Sequence, residues 1–388
     1  MLDVAIIGAG PAGLLCALRL AESGFDVAVF EEHPAVGSPT HCTGIVSLEV
    51  ADLAKIPGDG ILTRLSRAAL VGPGSARALS TWAPSAREEL VVIDRAVFDC
   101  SLAGSATAAG ATVRTGVRVT DVEGHADRIQ LAIGGAEPVG ARACVLACGV
   151  SYRFQRSLGL GLPGQVIHTA QLEMDAEPAD EVEIYFGRHV APDGFAWTVP
   201  VSREGRARLK VGILAKGDAG SYLSRFMARP DIRARLRGEL PTSVRRLLPL
   251  KPIPKTYADR LLVIGDAGGF TKPTTGGGIF YSLLTATLAA ETLSEAFHRG
   301  QLDDATLSGY EKRWHDRLGQ ELRTADWLRG IVTRCTDREI DVLVQAMASE
   351  DVQALLRRTA RFNWHRDAIL AIARQPGIKS LLVRALFR

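Results

Sequence analysis

MLDVAIIGAGPAGLLCALRLAESGFDVAVFEE, residues 1–32, runs from apolar Val4–Ile7 into Gly8-Ala9-Gly10-Pro11-Ala12-Gly13, then a helical pattern to Ser23, a break at Gly24 and a second apolar run ending at Glu31. That order predicts a βαβ unit of a parallel sheet built to hold a nucleotide. Gly8 permits the tight turn, Gly10 removes the side chain that would block a pyrophosphate, and Gly13 lets the helix close on the strand. The free N–H groups at the helix start then face an anion. Glu31, at the end of the second strand, is placed to accept hydrogen bonds from ribose hydroxyls and disfavours a 2′-phosphate, which predicts FAD or NAD over NADP.

The chain of 388 residues has material for two to three domains and an ordinary globular make-up, 47% hydrophobic and 23% charged. A formal charge of +3 gives no footprint for nucleic acid. Charge is uneven, however. Between Leu355 and Arg388 stand Arg357, Arg358, Arg361, Arg366, Arg374, Lys379, Arg384 and Arg388 against Asp367 alone, interleaved with apolar residues. This reads either as amphipathic helices offering peripheral contact to an anionic membrane or as solvated faces of helices packed on the main body. No stretch is long and apolar enough to span a bilayer, and the N-terminus lacks the pattern of a signal peptide, so a cytoplasmic protein is expected. The six cysteines show no C-x-x-C pair and no metal spacing, so no metal is expected. Cys16, Cys100, Cys144 and Cys148 lie in apolar patterns and read as core residues.

Further blocks extend the first. Residues 91–110 read as a strand and then a helix, with Arg95 and Asp99 one turn apart. Residues 111–149 read as short strands, the last ending in Ala147-Cys148-Gly149. Leu261–Asp266 repeats that logic: a buried strand ends in Gly265-Asp266, where an acid at the carboxyl end of a parallel sheet is set to meet a ligand. Lys272-Pro273-Thr274-Thr275-Gly276-Gly277-Gly278-Ile279 follows, a bend whose triple glycine opens a helix over Phe280–Ala296. A helix N-terminus with bare backbone suits the edge of a flavin. Val182–Phe186 and Ala207–Ile213 alternate as strands of an inserted sheet.

Together these residues resemble the p-hydroxybenzoate-hydroxylase-type FAD fold. Within it, Gly37-Ser38-Pro39-Thr40-His41-Cys42-Thr43-Gly44, Phe195-Ala196-Trp197-Thr198-Val199-Pro200 and the 272–279 block resemble the geranylgeranyl reductase family over roughly residues 1–300. The implied architecture is α/β: a Rossmann-like FAD-binding domain (1–160 and 256–300, with 50–90 contributing to the substrate side), an interleaved antiparallel-sheet substrate domain (161–255) and a helical C-terminal region (301–388). Cofactor contacts implied by the resemblance, together with the glycines Gly8, Gly10 and Gly13, are Ala12, Glu31, Cys42, Thr43, Gly44, Arg95, Val119, Asp266, Gly278 and Ile279. Phe195, Trp197 and Pro200 would line the substrate cavity. The chain departs from the family in having Phe195 for Tyr, Val199 for Phe, Lys272 for Asn, and one residue fewer between Cys42 and Gly44.

The implied activity is FAD-dependent reduction of isolated C=C bonds in a polyprenyl chain of a lipid, quinone or chlorophyll precursor, by hydride transfer from reduced flavin coupled to protonation. An isolated alkene has no carbonyl to spread the developing charge, so the reaction needs a dry apolar site and a proton donor. Cys42 is the first candidate and Tyr281 the second. The substrate would be a hydrophobic isoprenoid, and NADPH, ferredoxin or reduced flavin the electron donor, since no second G-x-G-x-x-G is present. The alternatives are a flavin-dependent monooxygenase or halogenase on the same fold, the latter with Lys272 in its chemistry, and a flavoprotein that only relays electrons.

Overall fold

The computed structural model describes residues 1–74, 76–82 and 89–386; Arg388, counted above in the basic tail, lies outside them. Leu2–Ile7 sits in the middle of an eight-stranded sheet, paired in parallel with Val27–Phe30 on one side and Val139–Leu146 on the other. Thr112–Arg114 and Leu261–Val263 extend the parallel run at either side. These strands are apolar throughout because both faces are covered. Val4, Ile6, Val27, Val29 and Val145 face the helices α1 (Pro11–Glu22) and α2 (Arg95–Ala108). Ala5, Ile7, Phe30 and Leu146 face the antiparallel strands Val119–Gly124 and Ile129–Ile133.

The short α3 (Arg153–Ser157) leads to a seven-stranded sheet in the order Val244–Pro249, Val166–Asp175, Arg206–Ala215, Phe195–Arg203, Val182–Tyr185, Arg67–Val71, Arg77–Thr81. Its last two strands come from the stretch before α2, and Arg67–Val71 pairs in parallel with Val182–Tyr185. On one face Leu209, Val211 and Ile213 pack under α4 (Ala219–Met227) and α5 (Pro230–Arg233). Lys210 and Leu214 alternate with them and point the other way, toward the first sheet's helices and loops. A small sheet of Ile45–Ser47, Leu90–Ile93 and Ile61–Leu65 joins the two bodies.

The rest is helical: α6 (Ile279–Arg299), α7 (Asp304–Val332), α8 (Asp337–Met347), α9 (Glu350–Thr359), α10 (Arg366–Ala373) and α11 (Pro376–Leu386). α6 stops at Gly300, which takes the left-handed conformation of a helix end at φ +68°. α8 begins with a reciprocal capping box between Thr336 and Glu339. Ile340, Val344, Ile378 and Leu382 pack with Ala78 of the seven-stranded sheet, so the C-terminal helices close over its outer end.

One expectation fails. Cys16 and Cys144 are buried, but Cys100 is exposed and Cys148 half-buried. Cys100 lies on the outer flank of α2, where its thiol meets the Val36 carbonyl at 3.5 Å.

Candidate active site

The first turn is cut to fit a pyrophosphate. A Cβ on Gly8, whose φ is +107°, would lie 2.4 Å from the Ala147 carbonyl oxygen, and one on Gly13 would lie 2.0 Å from that of Gly8. Gly10, by contrast, faces open space and caps α1 without any side chain, ahead of Pro11 at the first helical position. The N–H groups of the first turn, Ala12 and Gly13 among them, are thus left for an anion. Glu31 holds this turn: its carboxylate accepts from the Ala9 N–H at 2.8 Å and the His33 N–H at 3.0 Å.

About the other end of the cradle stand three segments. The loop 37–44 lies on the start of α2: a Cβ on Gly44 (φ +84°) would lie 2.5 Å from the Ile93 oxygen, and one on Gly37 2.9 Å from the Ala96 Cα. Cys42 in this loop lies beside Arg95, while Thr43 meets Gln171 at 3.2 Å. Arg95 makes a bidentate pair with Asp99 at 2.9 and 2.8 Å, mostly buried. Burial opposes its charge, yet Asp99 and the neighbouring Cys42 hold the guanidinium more firmly protonated than usual. The second segment is Gly265–Gly268. Burial pushes the Asp266 carboxyl up to about 6, against the pull of Arg95. The third is the glycine turn: a Cβ on Gly278 would come within 2.9 Å of Asp266 Oδ1, and α6 starts there with no side-chain cap. Ile279 opens that helix, half-buried. Val119 is buried at the start of its strand, its carbonyl bonded by Arg153.

The bare first turn at Gly10, the acid beside it, and a second uncapped helix start facing Asp266 match the anion, ribose and ring edge of FAD, so the residues present fit that cofactor.

Lys210 is a residue that sequence reading missed. It is buried, its ammonium donates to the Thr43 carbonyl at 2.8 Å, and burial lowers its pKa while Cys42 and Glu173 raise it. In an alternating strand a lysine reads as the wet face, and nothing local marks it otherwise. Arg203 ties the same sheet to the start of α2 through Asp94 and Glu173, the latter at 2.5 and 3.1 Å. His41, beside Cys42, turns to Arg246, and burial with that cation's repulsion pushes it down to about 4.

A mainly apolar cavity of about 320 Å³ lies between the seven-stranded sheet and the C-terminal helices. Phe195 and Phe186 line it from the sheet, Thr274 from the glycine turn, and Val332, Ile340 and Ile372 from α7, α8 and α10. Its volume falls at the lower end of small-molecule pockets. Trp197 stands next to Phe195, ring centroids 5.8 Å apart, and packs over Gly212, where a Cβ would meet the indole at 2.2 Å. Pro200 continues the same strand beyond the buried Val199. Tyr281 is not at the cavity. Its hydroxyl donates to the Asn363 carbonyl at 3.1 Å in a buried cluster. Lys272 joins that cluster, donating to the Phe362 carbonyl at 2.8 Å. No residue of α7, α8 or α10 was assigned to the cavity from sequence; the helical C-terminal region was expected to pack on the main body or to touch membrane.

The model of the lycopene cyclase protein family matches residues 3–363. Digeranylgeranylglycerophospholipid reductase 2 of Methanothermobacter thermautotrophicus is 33% identical over 373 residues, covering 91% of this chain and 93% of that protein. The digeranylgeranylglycerophospholipid reductase of Methanothrix thermoacetophila is 28% identical over 93% of this chain and 96% of its own. Among solved structures, a geranylgeranyl bacteriochlorophyll reductase-like protein from Thermoplasma acidophilum superposes with a TM-score of 0.83 at 24% identity, covering 98% of each chain. The flavin-dependent halogenase CmlS superposes at 0.70 with 21% identity, covering all of this chain and 77% of that one. Both structural likenesses are of fold.

Proposed function

The chain belongs to the lycopene cyclase protein family and, through its relatives, to the geranylgeranyl reductases, and on that premise we propose that it binds FAD and reduces isolated C=C bonds in the polyprenyl chain of a lipid. The observation that carries this reading is an apolar cavity lined in part by Thr274, a residue of the turn that would meet the flavin. A long hydrocarbon in that cavity excludes water from one side of the turn while the sheet closes the other. Reduced FAD, when bound in the cradle, would supply the hydride and be left oxidised. The chain's own residues do the rest: Glu31 accepts from the ribose, the first turn of α1 takes the pyrophosphate, and Asp266 with the start of α6 fixes the flavin end.

The proton comes from Cys42. Its loop is held on α2 by Gly37 and Gly44, and Arg95 and Lys210 stand beside it to balance the negative charge left on sulfur. Phe195, in the cavity wall with Trp197 packed against it, offers an aromatic face to positive charge developing on the alkene. Against the halogenase reading, Lys272 spends its ammonium on the Phe362 carbonyl.

No helix among the described residues is long and apolar enough to cross a membrane. The outer face of α11 carries Lys379 and Arg384 beside Val383 and Leu386, which are 46% and 45% exposed. That face gives the enzyme peripheral contact with an anionic bilayer, from which a prenyl lipid enters the cavity. NADPH, ferredoxin or a reduced flavin supplies the electrons.

The test is spectroscopic. Purified protein should carry FAD, and the photoreduced enzyme, kept anaerobic, should regain its oxidised absorption on addition of a digeranylgeranyl phospholipid. A chain that releases no FAD, or stays reduced with that lipid, would falsify the reading.

A further inference from the structure

Residues 362–365, Phe362-Asn363-Trp364-His365, form a strap between α9 and α10 that touches both loops flanking the candidate flavin site. On one side the Asn363 side-chain N–H donates to Ser47 Oγ at 2.9 Å and Glu49 Oε2 at 2.8 Å, and the Trp364 indole N–H donates to Glu49 Oε1 at 2.8 Å. Ser47 and Glu49 follow directly on the Cys42 loop. On the other side Lys272 donates to the Phe362 carbonyl at 2.8 Å with its ammonium 4.0 Å from the Phe362 ring, Tyr281 donates to the Asn363 carbonyl, and Thr274 meets His365 Nδ1 at 2.7 Å. The strap then runs straight into α10, whose Ile369 and Ile372 wall the cavity.

Lys272 is the odd member. It is 3% exposed, and its stem crosses the glycine turn, so that a Cβ on Gly277 would lie 2.8 Å from its Cε. The turn is closed on the same residue: the Lys272 N–H donates to the Gly277 carbonyl at 3.0 Å and the Gly276 N–H to the Lys272 carbonyl at 2.8 Å. A buried ammonium is costly, and a methionine would fill the same space without that cost. Among the described residues its ammonium's hydrogen-bond partners, Phe362 and Asn363, come from the strap, while the carboxylates that act on it, Glu49 and Glu321, are themselves bonded to strap groups or to the start of α10.

We propose that Lys272 is a positioning residue for the flavin reaction: it fixes the 276–278 turn against the strap, so that the flavin's surroundings are set by the helices that wall the prenyl cavity. The proposal rests on the FAD reading of that turn and adds a physical link between the cavity and the cofactor's electronics. Lys272 touches no reacting atom. It acts through the turn it holds.

The experiment uses the full FAD-loaded chain as wild type, Lys272→Met, Lys272→Gln and Lys272→Arg, with FAD affinity measured by flavin fluorescence and the midpoint potential by dye equilibration. Circular dichroism reports folding separately. Loss of a charge-assisted bond predicts that Lys272→Met weakens FAD binding about tenfold. The same variant should shift the midpoint potential, and Lys272→Arg should recover most of both. Should Lys272→Met not fold, Lys272→Gln, which keeps a donor of similar reach, should show the same two shifts in smaller degree. A folded Lys272→Met or Lys272→Gln with wild-type affinity and wild-type potential overturns the proposal while the enzyme still binds FAD. A wild type that binds no FAD overturns the FAD reading and this proposal together. A wild type that binds FAD but reduces no prenyl lipid removes the assigned substrate and leaves the lysine variants to decide the rest.

Discussion

Glu31 bonds the Ala9 N–H of the glycine turn, and on the proposed reading the same carboxylate would also accept from the ribose of FAD. Its replacement by alanine removes a charged acceptor from both, and FAD affinity should fall about 10- to 100-fold in a fluorescence titration, in line with hydrogen bonds to charged groups. Cys42 carries a different burden. If it delivers the proton, Cys42→Ala lowers kcat by about 100-fold or more, while FAD affinity changes far less; equal kcat values would remove Cys42 from the proton path. Residues of the first kind were legible because backbone geometry demands them: Gly8, Gly13 and Gly278 leave no room for another side chain. Lys210 was not. A lysine in an alternating strand is normally wet, and only the loop folding over it from residues 37–44 turns it into a buried partner of Thr43.

Among the elements, the α7, α8 and α10 faces make the cavity, and filling it separates substrate binding from cofactor binding. Ile372→Trp should cut kcat/KM for a prenyl lipid about tenfold or more, with some loss of stability of about 1–3 kcal/mol from overpacking and a much smaller change in FAD affinity, passed on through the strap. An unchanged kcat/KM would place the substrate elsewhere. The strap between α9 and α10 gives a second readout through Lys272. Burial lowers that amine to about 7, against the pull of Glu49 and Glu321, while an unfolded lysine titrates near 10.4. Over that interval the unfolded chain holds more protons than the folded one, so stability rises with pH by up to about 1 kcal/mol per unit. Lys272→Met should flatten that rise in urea titrations between pH 7 and 10. The amphipathic pattern over Leu355–Arg388 was visible in the sequence, but such a pattern states only that a face is covered. What covers it, here Phe186, Phe195 and Ala78 from a distant sheet, is decided by tertiary packing.

At the scale of the whole molecule, two bodies share the work. The parallel sheet carries the starts of α1 and α6 at its strand ends, where the proposed reading puts FAD; the seven-stranded sheet and the C-terminal helices enclose apolar space. The opening βαβ unit, with its spacing to Glu31, foretold the first body from local rules alone. The second body drew two of its strands, Arg67–Val71 and Arg77–Thr81, from before α2; the expectation that residues 50–90 contribute to the substrate side came from the family resemblance, since no local pattern displays such a long-range exchange. If the exposed face of α11 meets lipid, Val383→Glu should reduce sedimentation with anionic vesicles several-fold without altering turnover of detergent-dispersed substrate. The central claim is tested most directly by incubating the chemically reduced, FAD-loaded chain without oxygen with a digeranylgeranyl phospholipid and weighing the product by mass spectrometry. A gain of two hydrogens for each double bond lost is the predicted result. An unchanged lipid mass, or an oxygen-dependent gain of hydroxyl or halogen instead, would contradict it.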